Sequence, residues 1–494
     1  MSEKLDISIV IPAFNEAKRL PAFLERVITY CNNTPGKYEI IVVDDGSSDQ
    51  TGEVAGSFKG QSTNLSVIRL PKNRGKGYAI KQGFFKSKGR ICTFLDADGS
   101  TEPDEIQKNI HYILEDGYDI FAGSREVESE GQIIKGKLHR RLIGRIFNFL
   151  TKACLSQDIK DNLCGFKIFK KEVIRPLFSR AFIEEFGFDM EIIYLAQQMG
   201  YRVKEGGVSW HHVDGSKVNL FTDSVRVFLN ILQIKIWHRA AIVSSTGEMS
   251  VDEYDYMYQL EDAHWWFLSH RNLAMRLTKS LNIANPNILD LGTGTGANLV
   301  SFSKLGQTHG IDISEQAVAY CRRRGLNNVT RSAVDQITFQ DKSFDIITCL
   351  DVLEHLADPQ ETLREMKRVL KNQGKIIITV PALMMLWSQH DEALGHLRRY
   401  QKKTLLADLQ EAGLRTERMG YFFFSSFLPL VVMRMFKNLF VSRKKLQSDM
   451  TSLPPKFINE SLKLLFKLEL KIAGKAGLPF GSTLYAVVSK NEMD

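Results

Sequence analysis

Short β-branched runs that break into polar turns alternate with helical stretches, twice over, along this chain. "ISIVIPAF" and "YEIIVVDDGSSD" flank an amphipathic stretch from Arg19 to Cys31, and "NLSVIRL" and "GRICTFLDADGS" repeat the arrangement. A second series begins near Asn287 with "PNILDLGTGTGANL", "THGIDIS", "FDIITCLDVLEH", "GKIIITVPA" and finally "LYAVVSK". Strands alternating with helices predict a parallel α/β sheet, so two such series predict two sheets. Ligands of these sheets bind beyond the C-terminal ends of the strands. In the first series those ends read "PAFNE", "DDGSSD" and "DADGS", all polar and acidic. Between the series lies a polar stretch of small residues. The expected organisation is a first domain over 1–243, a linker over 244–250 and a second domain over 251–494.

Length and charge are compatible with this division. At roughly 100–200 residues per domain, 494 residues suggest two to four domains. Hydrophobic residues at 44% and charged residues at 25% are an ordinary globular composition. A net charge of +8 is too modest and too evenly spread for a nucleic-acid partner, but it suits a sugar nucleotide, a lipid phosphate or an anionic membrane face. Cys31, Cys92, Cys154, Cys164, Cys321 and Cys349 form no CxxC pair, which predicts reduced thiols and a cytoplasmic protein. The apolar run near the N-terminus is too short for a signal peptide. No stretch reaches the ~18 apolar residues that a bilayer span needs. The nearest, "YFFFSSFLPLVVM" (421–433), is broken by two serines and a proline and is followed by Arg434.

"FLDADGS" places Asp96 and Asp98 two residues apart where a strand enters a turn. Alone, an acidic turn is usually a solvated loop. Two carboxylates this close also suit Mg²⁺ or Mn²⁺ bridging to a diphosphate. Asp45 in "VVDDGSSD" is placed to accept hydrogen bonds from a base or ribose, and Glu16 ends the first strand in parallel fashion.

These segments, with "NRGKGYAIKQG", "AGSRE", "DNLCGFKIF", "FGFDMEII" and "VDGSKV", resemble family 2 glycosyltransferases over residues 5 to about 220. They are most similar to the dolichyl-phosphate glucosyltransferase and mannosyltransferase branch. The resemblance implies a Rossmann-like nucleotide-diphospho-sugar transferase fold, a divalent metal and transfer of a hexose to a polyprenyl phosphate. It puts Pro12, Phe14, Glu16, Val43 and Asp45 around base and ribose. Asp96, Ala97 and Asp98 fall at the diphosphate and metal, and Arg125 and Lys217 at phosphate charge. Two cations there would neutralise the leaving diphosphate. Asp189 in "FGFDMEI" is a candidate for positioning the acceptor, or an N-terminal helix carboxylate. Arg74 and Lys76 belong to a basic glycine-rich turn that closes over the donor or simply enters a helix. His211, where mannosyl-transferring relatives carry arginine, leans toward glucose from UDP-glucose; GDP-mannose is the alternative.

In the second half, a strand ending in Asp290 runs into Gly292, Gly294 and Gly296, which allow a sharp turn and close approach to a ligand. Asp312 ends the next strand at a spacing that suits ribose hydroxyls. With "CLDVLEHLADPQETLREMKRVLKNQGKIIITVP" following, this half resembles class I S-adenosylmethionine-dependent methyltransferases from about 250 to 490. The resemblance is closest to the group that methylates hydroxyls of sugar, quinone and lipid precursors. It implies that Asp290, Gly292 and Gly294 cradle the methionine moiety of S-adenosyl-L-methionine and that Asp312 holds the ribose. Ala333 stands where many relatives place an acid for the adenine amine, leaving adenine to the backbone or to Asp335. No metal is implied in this half. His355, His390 and His396 are candidate bases for a hydroxyl, or packed core histidines. Trp265, Trp266 and Phe267 are read as a packing cap over the cofactor pocket.

Two segments combine an apolar stripe with basic neighbours. One is 220–243, with Val225, Phe228, Leu229, Leu232 and Ile236 beside Arg226, Lys235, His238 and Arg239; the other is 421–445. Either can lie in a membrane interface or pack on its own domain. The sequence therefore predicts a peripheral, two-activity transferase on the cytoplasmic face of a membrane, with one half acting only as a binding module as the alternative.

Overall fold

A computed structural model describes residues 6–34, 36–61, 64–127, 134–135, 151, 155, 159–162, 164–185, 187–211, 228–235, 238, 249, 251–440, 448–476 and 478–491. The chain divides into two compact units, Met1–Ile242 and Val243–Asp494.

The first unit carries β1 (Ile7–Ala13), β2 (Tyr38–Asp44), β3 (Leu65–Arg69), β4 (Ile91–Leu95), β5 (Ile120–Ser124), β6 (Ile134–Lys135), β7 (Phe166–Lys170), β8 (Val203–Gly207) and β9 (Trp210–His211). Seven of them form one sheet in the order β3-β2-β1-β4-β7-β5-β8, and β6 pairs with β9 apart from it. β1 runs parallel to β2 and β4, whereas β7 lies antiparallel between β4 and β5. Every residue of β2, YEIIVVD, is buried, because helices cover both sheet faces. On one face the helix Leu20–Asn33 buries Leu20, Phe23, Leu24, Val27 and Ile28, the i, i+3, i+4, i+7, i+8 stripe of an amphipathic helix. The helix Lys76–Lys86 covers the other face at close range. A Cβ on Gly83 would stand 2.4 Å from Val10 Cγ1, so only glycine permits this approach.

The second unit carries β10 (Asn287–Leu291), β11 (Gln307–Asp312), β12 (Val329–Arg331), β13 (Phe344–Leu350), β14 (Leu370–Pro381), β15 (Leu414–Phe422) and β16 (Thr483–Lys490). They form a sheet in the order β12-β11-β10-β13-β14-β16-β15. The strands are parallel from β12 to β14, and β16 inserts antiparallel between β14 and β15. In each sheet the strand order reverses beside the first strand, between β1 and β4 and between β10 and β13. The crevice beyond such a switch point is where ligands of open α/β sheets bind.

Among the described residues no helix is long and apolar enough to cross a membrane. The five described cysteines, Cys31, Cys92, Cys164, Cys321 and Cys349, are unpaired thiols.

Candidate functional sites

The first crevice is built from turns that staple one another. Register pairs Pro12 with Val43 and Ala13 with Asp44, so "PAFNE" and "DDGSSD" leave the sheet side by side. Asn15, in a left-handed conformation at φ 53°, accepts from the Ser48 backbone at 2.9 Å and donates its own N–H to Ser47 Oγ at 2.9 Å. The Glu16 N–H reaches Thr51 Oγ1 at 2.8 Å, and its carboxylate takes a two-pronged contact from Arg19 at 2.5 and 2.6 Å. Phe14 is exposed, Pro12 partly so, and the Val43 side chain is in the core. Asp45 accepts from Asn73 Nδ2 (3.0 Å) and from the N–H groups of Arg74 (2.9 Å) and Gly75 (2.8 Å). It thereby holds the "NRGKG" turn over the crevice, and burial pushes its carboxyl up to about 6.

Asp96, Ala97 and Asp98 follow β4 directly, across the switch point from Pro12. Asp96 Oδ1 lies 2.6 Å from Lys76 Nζ, and Asp98 Oδ1 accepts from the Ser100 N–H at 3.0 Å. Burial raises the Asp96 carboxyl, an effect opposed by Lys76 and reinforced by Asp98. A Cβ on Gly165 would sit 2.0 Å from Asp96 Oδ2, so a glycine keeps room beside that oxygen. Two adjacent carboxylates, one balanced only by a lysine, fit a divalent cation. The His211 N–H bonds the Ser100 carbonyl at 2.9 Å, which brings the strand before "DGSKV" to the acidic turn. Lys217 itself lies outside the described residues.

Two of the expected groups are already paired. Asp189 Oδ1 meets Lys167 Nζ at 2.7 Å with both side chains buried, 4% and 1% exposed, and its charge reaches Asp96 and Lys76 at the crevice. Lys167 further donates to the Cys164 carbonyl at 3.0 Å. Arg125, whose charge reaches Asp96, is paired as well. Asp161 binds it through Nε at 2.7 Å and a terminal nitrogen at 2.8 Å, while the guanidinium lies 5.5 Å from the Trp210 ring centre.

The second crevice is lined by the glycine turn. Gly292, Gly294 and Gly296 have φ of 69°, 57° and 90°, the left-handed region that favours glycine. Asp312 Oδ2 accepts from Gly294 N at 2.8 Å and Oδ1 from Ser314 N at 2.9 Å, so this carboxylate fixes both the turn and the next helix. Asp290 is buried beneath it, bonded to Thr348 Oγ1 at 2.5 Å. Burial, and secondarily Asp312, pushes its carboxyl up to about 7. Ala333 is partly exposed; its carbonyl accepts from Gln336 N at 3.2 Å, and Asp335 is exposed. A narrow turn with freely approachable backbone and a carboxylate at the adjacent strand end fits S-adenosylmethionine.

The aromatic residues expected to cap the pocket pack among themselves, and a second element reaches the turn. Trp265 stacks on Phe466 (5.0 Å between ring centres, 17°) and Trp266 on His270 (5.0 Å, 19°). The helix Val251–Leu260 also approaches the glycines. Met257 Sδ lies 3.4 Å from where a Gly294 Cβ would be, Asp255 binds Gln316 at 2.6 Å, and Tyr258 stacks on Tyr320 at 4.3 Å. His390 is buried and partnered as well. Its Nδ1 accepts the Asp449 N–H at 3.1 Å, and burial with the Arg434 charge pulls its pKa down. His355 lies 4.9 Å from His396, ring centre to ring centre. Sequence reasoning missed His270, whose Nε2 stands 3.2 Å from Asp351 Oδ2 at the end of β13. Nothing local marks that pair, because tertiary packing alone joins them.

Two switch-point crevices, one acidic and one glycine-lined, define a chain carrying two transferase domains. The model of "Glycosyl transferase family 2" matches residues 8–178, and that of "Methyltransferase domain" matches residues 289–378. The first half is 35% identical over 244 residues to the dolichyl-phosphate beta-glucosyltransferase of Dictyostelium discoideum, spanning 47% of this chain and 75% of that protein. The human protein of the same name is 35% identical over 247 residues, with the same coverage. Solved structures resemble each half distantly. Glucosyl-3-phosphoglycerate synthase from Mycobacterium tuberculosis, bound to Mn²⁺, uridine diphosphate and its product, is 19% identical with a TM-score of 0.38, covering 49% of this chain and 82% of its own. A SAM-dependent methyltransferase from Aquifex aeolicus is 26% identical with a TM-score of 0.26, covering 29% and 81%. The chain belongs to glycosyl transferase family 2 through its N-terminal domain, to which a class I S-adenosylmethionine-dependent methyltransferase domain is fused. It is a bifunctional transferase.

Proposed function

We propose that the N-terminal domain transfers glucose from UDP-glucose to a polyprenyl phosphate of the dolichyl type, and that the C-terminal domain methylates a hydroxyl of a lipid-linked sugar or related glycolipid precursor. The observation that carries the first half is the agreement between the "DADG" crevice and relatives named for dolichyl phosphate and glucose. In this reading Asp96 and Asp98 would hold Mg²⁺ or Mn²⁺, which would supply charge neutralisation for the leaving diphosphate, with Lys76 beside Asp96 as a further cation. Pro12, Phe14, Glu16, Val43 and Asp45 surround the nucleoside, with Val43 offering only its backbone. Arg125, held by Asp161, and Lys217 supply phosphate charge. An acceptor phosphate is already anionic at neutral pH, so no general base is needed. Asp290, Gly292, Gly294 and Gly296 would hold the methyl donor, Asp312 its ribose, and the backbone at Ala333 or Asp335 its adenine.

Incubation with labelled UDP-glucose and dolichyl phosphate should yield a labelled lipid in a reaction that EDTA stops. Asp98→Ala should lower turnover at least about a hundredfold, close to 3 kcal/mol of transition-state stabilisation. Full activity in that variant would remove the metal role, and a preference for GDP-mannose would move the donor to the mannosyl branch. A product one methyl heavier in the presence of S-adenosylmethionine would join the two activities on one lipid.

A further inference from the structure

The methyltransferase sequence implies no metal, yet its fold gathers three ligand-type side chains beside the glycine turn. β13 runs into "DVLEH", where Val352 packs so closely that a Cβ on Gly292 would stand 2.4 Å from its Cγ2. The segment around His396 folds back onto the same place, tied there by the Leu397 N–H bonding the Glu354 carbonyl at 2.8 Å. Ligand atoms of Glu354, His355 and His396 all fall within 4.8 Å of one another. His396 Nε2 is 3.8 Å from Glu354 Oε1.

Two further observations show what this cluster is set up to hold. His396 Nδ1 meets Asp391 Oδ1 at 3.0 Å, and Asp391 is fixed by Arg399 at 2.7 Å, by Arg434 at 3.4 Å and by the Ser388 N–H at 2.9 Å. A carboxylate so anchored keeps the proton on Nδ1 and leaves the Nε2 lone pair facing Glu354, the orientation a metal-binding histidine requires. Glu354, in turn, is fully buried, and neither carboxylate oxygen has a hydrogen-bond partner among the described residues. Burying a carboxylate without donors is costly, and a cation at this point would remove the cost.

We propose that Glu354, His355 and His396 bind a divalent first-row transition-metal ion. Two imidazoles with one carboxylate suit Zn²⁺ and its neighbours better than Mg²⁺ or Ca²⁺, which prefer oxygen alone. Ligands of a tetrahedral ion with bonds of ~2.1 Å stand about 3.4 Å apart, so the partly exposed His355 must swing inward by roughly an ångström. Three protein ligands leave at least one position open, next to the methyl-donor turn, for an oxygen of a hydroxylated acceptor.

The test uses the full chain with Asp96→Ala and Asp98→Ala, which removes the other expected metal site. After chelation and dialysis it is titrated with Co²⁺ and then Zn²⁺. The expected result is one equivalent of Co²⁺ with the visible absorption of a low-coordinate site, displaced by Zn²⁺. Glu354→Gln and His396→Gln should each weaken uptake about a hundredfold, while S-adenosylmethionine binding by calorimetry reports that the domain is folded. Should Glu354→Gln not fold, His396→Gln carries the comparison. No uptake of either ion, or uptake unchanged in a folded variant, overturns the site. Metal uptake is read without turnover, so an error in the proposed methyl acceptor would leave this result intact.

Discussion

At the scale of single residues, buried charge decides which polar side chains are structural and which remain for ligands. Lys167 and Asp189 form an ion pair inside the first unit. Removing one partner strands a charge, so Lys167→Met should destabilise the unit by about 3–5 kcal/mol, while Lys167→Met with Asp189→Leu should recover most of the loss. Urea unfolding of both variants checks this, and an unimpaired Lys167→Met would free Asp189 for another role. Asp290 gives a pH signature. Folding raises its carboxyl from 3.8 to about 7 through burial, so the folded state binds a proton that the unfolded chain has released. Its contribution is complete below pH 3.8 and is lost as pH rises through about 7. The total is up to about 4 kcal/mol. Thermal melts of Asp290→Asn should show a flatter dependence over that window, and an unchanged slope would place its origin elsewhere. These residues also show what a sequence can disclose. Asp45, Asp96, Asp98 and the three glycines are visible because strand-end turns are local. The partners of Asp189, Arg125 and His390 are brought up by folding from 22, 36 and 59 residues away.

Among elements, the same contrast separates β2, β10 and β13, which read plainly as buried runs, from β15. Its sequence LRTERMGYF is charged along the exposed edge and apolar only at its ends, so its identity as a strand comes from pairing with β16. The apolar–basic segments are redrawn too. Arg434 does not face outward: it is buried against Asp391, Asp449 and the Leu386 carbonyl. Arg443, Lys444 and Lys445 lie outside the described residues. In the first unit Phe228, Leu229 and Leu232 are exposed, but His238 turns inward to Glu191 at 2.5 Å; Val225, Arg226, Ile236 and Arg239 lie outside the described residues. Among the described residues an exposed apolar stripe runs along the helix Lys456–Ala476. Phe457 (83% exposed), Leu464 (60%), Leu468 (51%) and Ile472 (64%) recur at helical spacing beside Lys456, Lys467 and Lys471, while Phe466 and Leu470 pack inward. An apolar face among lysines suits an anionic lipid surface, at about 1 kcal/mol per basic residue. Leu464→Gln with Leu468→Gln and Ile472→Gln should weaken sedimentation with anionic liposomes at low salt. Arg434→Gln should lower the melting temperature instead of the partition. A triple variant that sediments like the wild type would assign the stripe to something other than lipid.

For the whole molecule, each unit holds a complete seven-stranded sheet with its own buried clusters. Fragments 1–243 and 249–494 should therefore fold separately, the first retaining glucosyl transfer and the second binding S-adenosylmethionine. Calorimetry on each fragment decides it; an insoluble second fragment would mean that the polar stretch between them is part of a shared core. Two sheets on one polypeptide also set a ratio. Wherever this chain is made, the two catalysts are present at one copy each, whatever the level of expression. Any shift in throughput between glycosyl and methyl transfer must then come from turnover or saturation at one crevice, and selection on the balance of products acts on the residues lining it rather than on gene dosage.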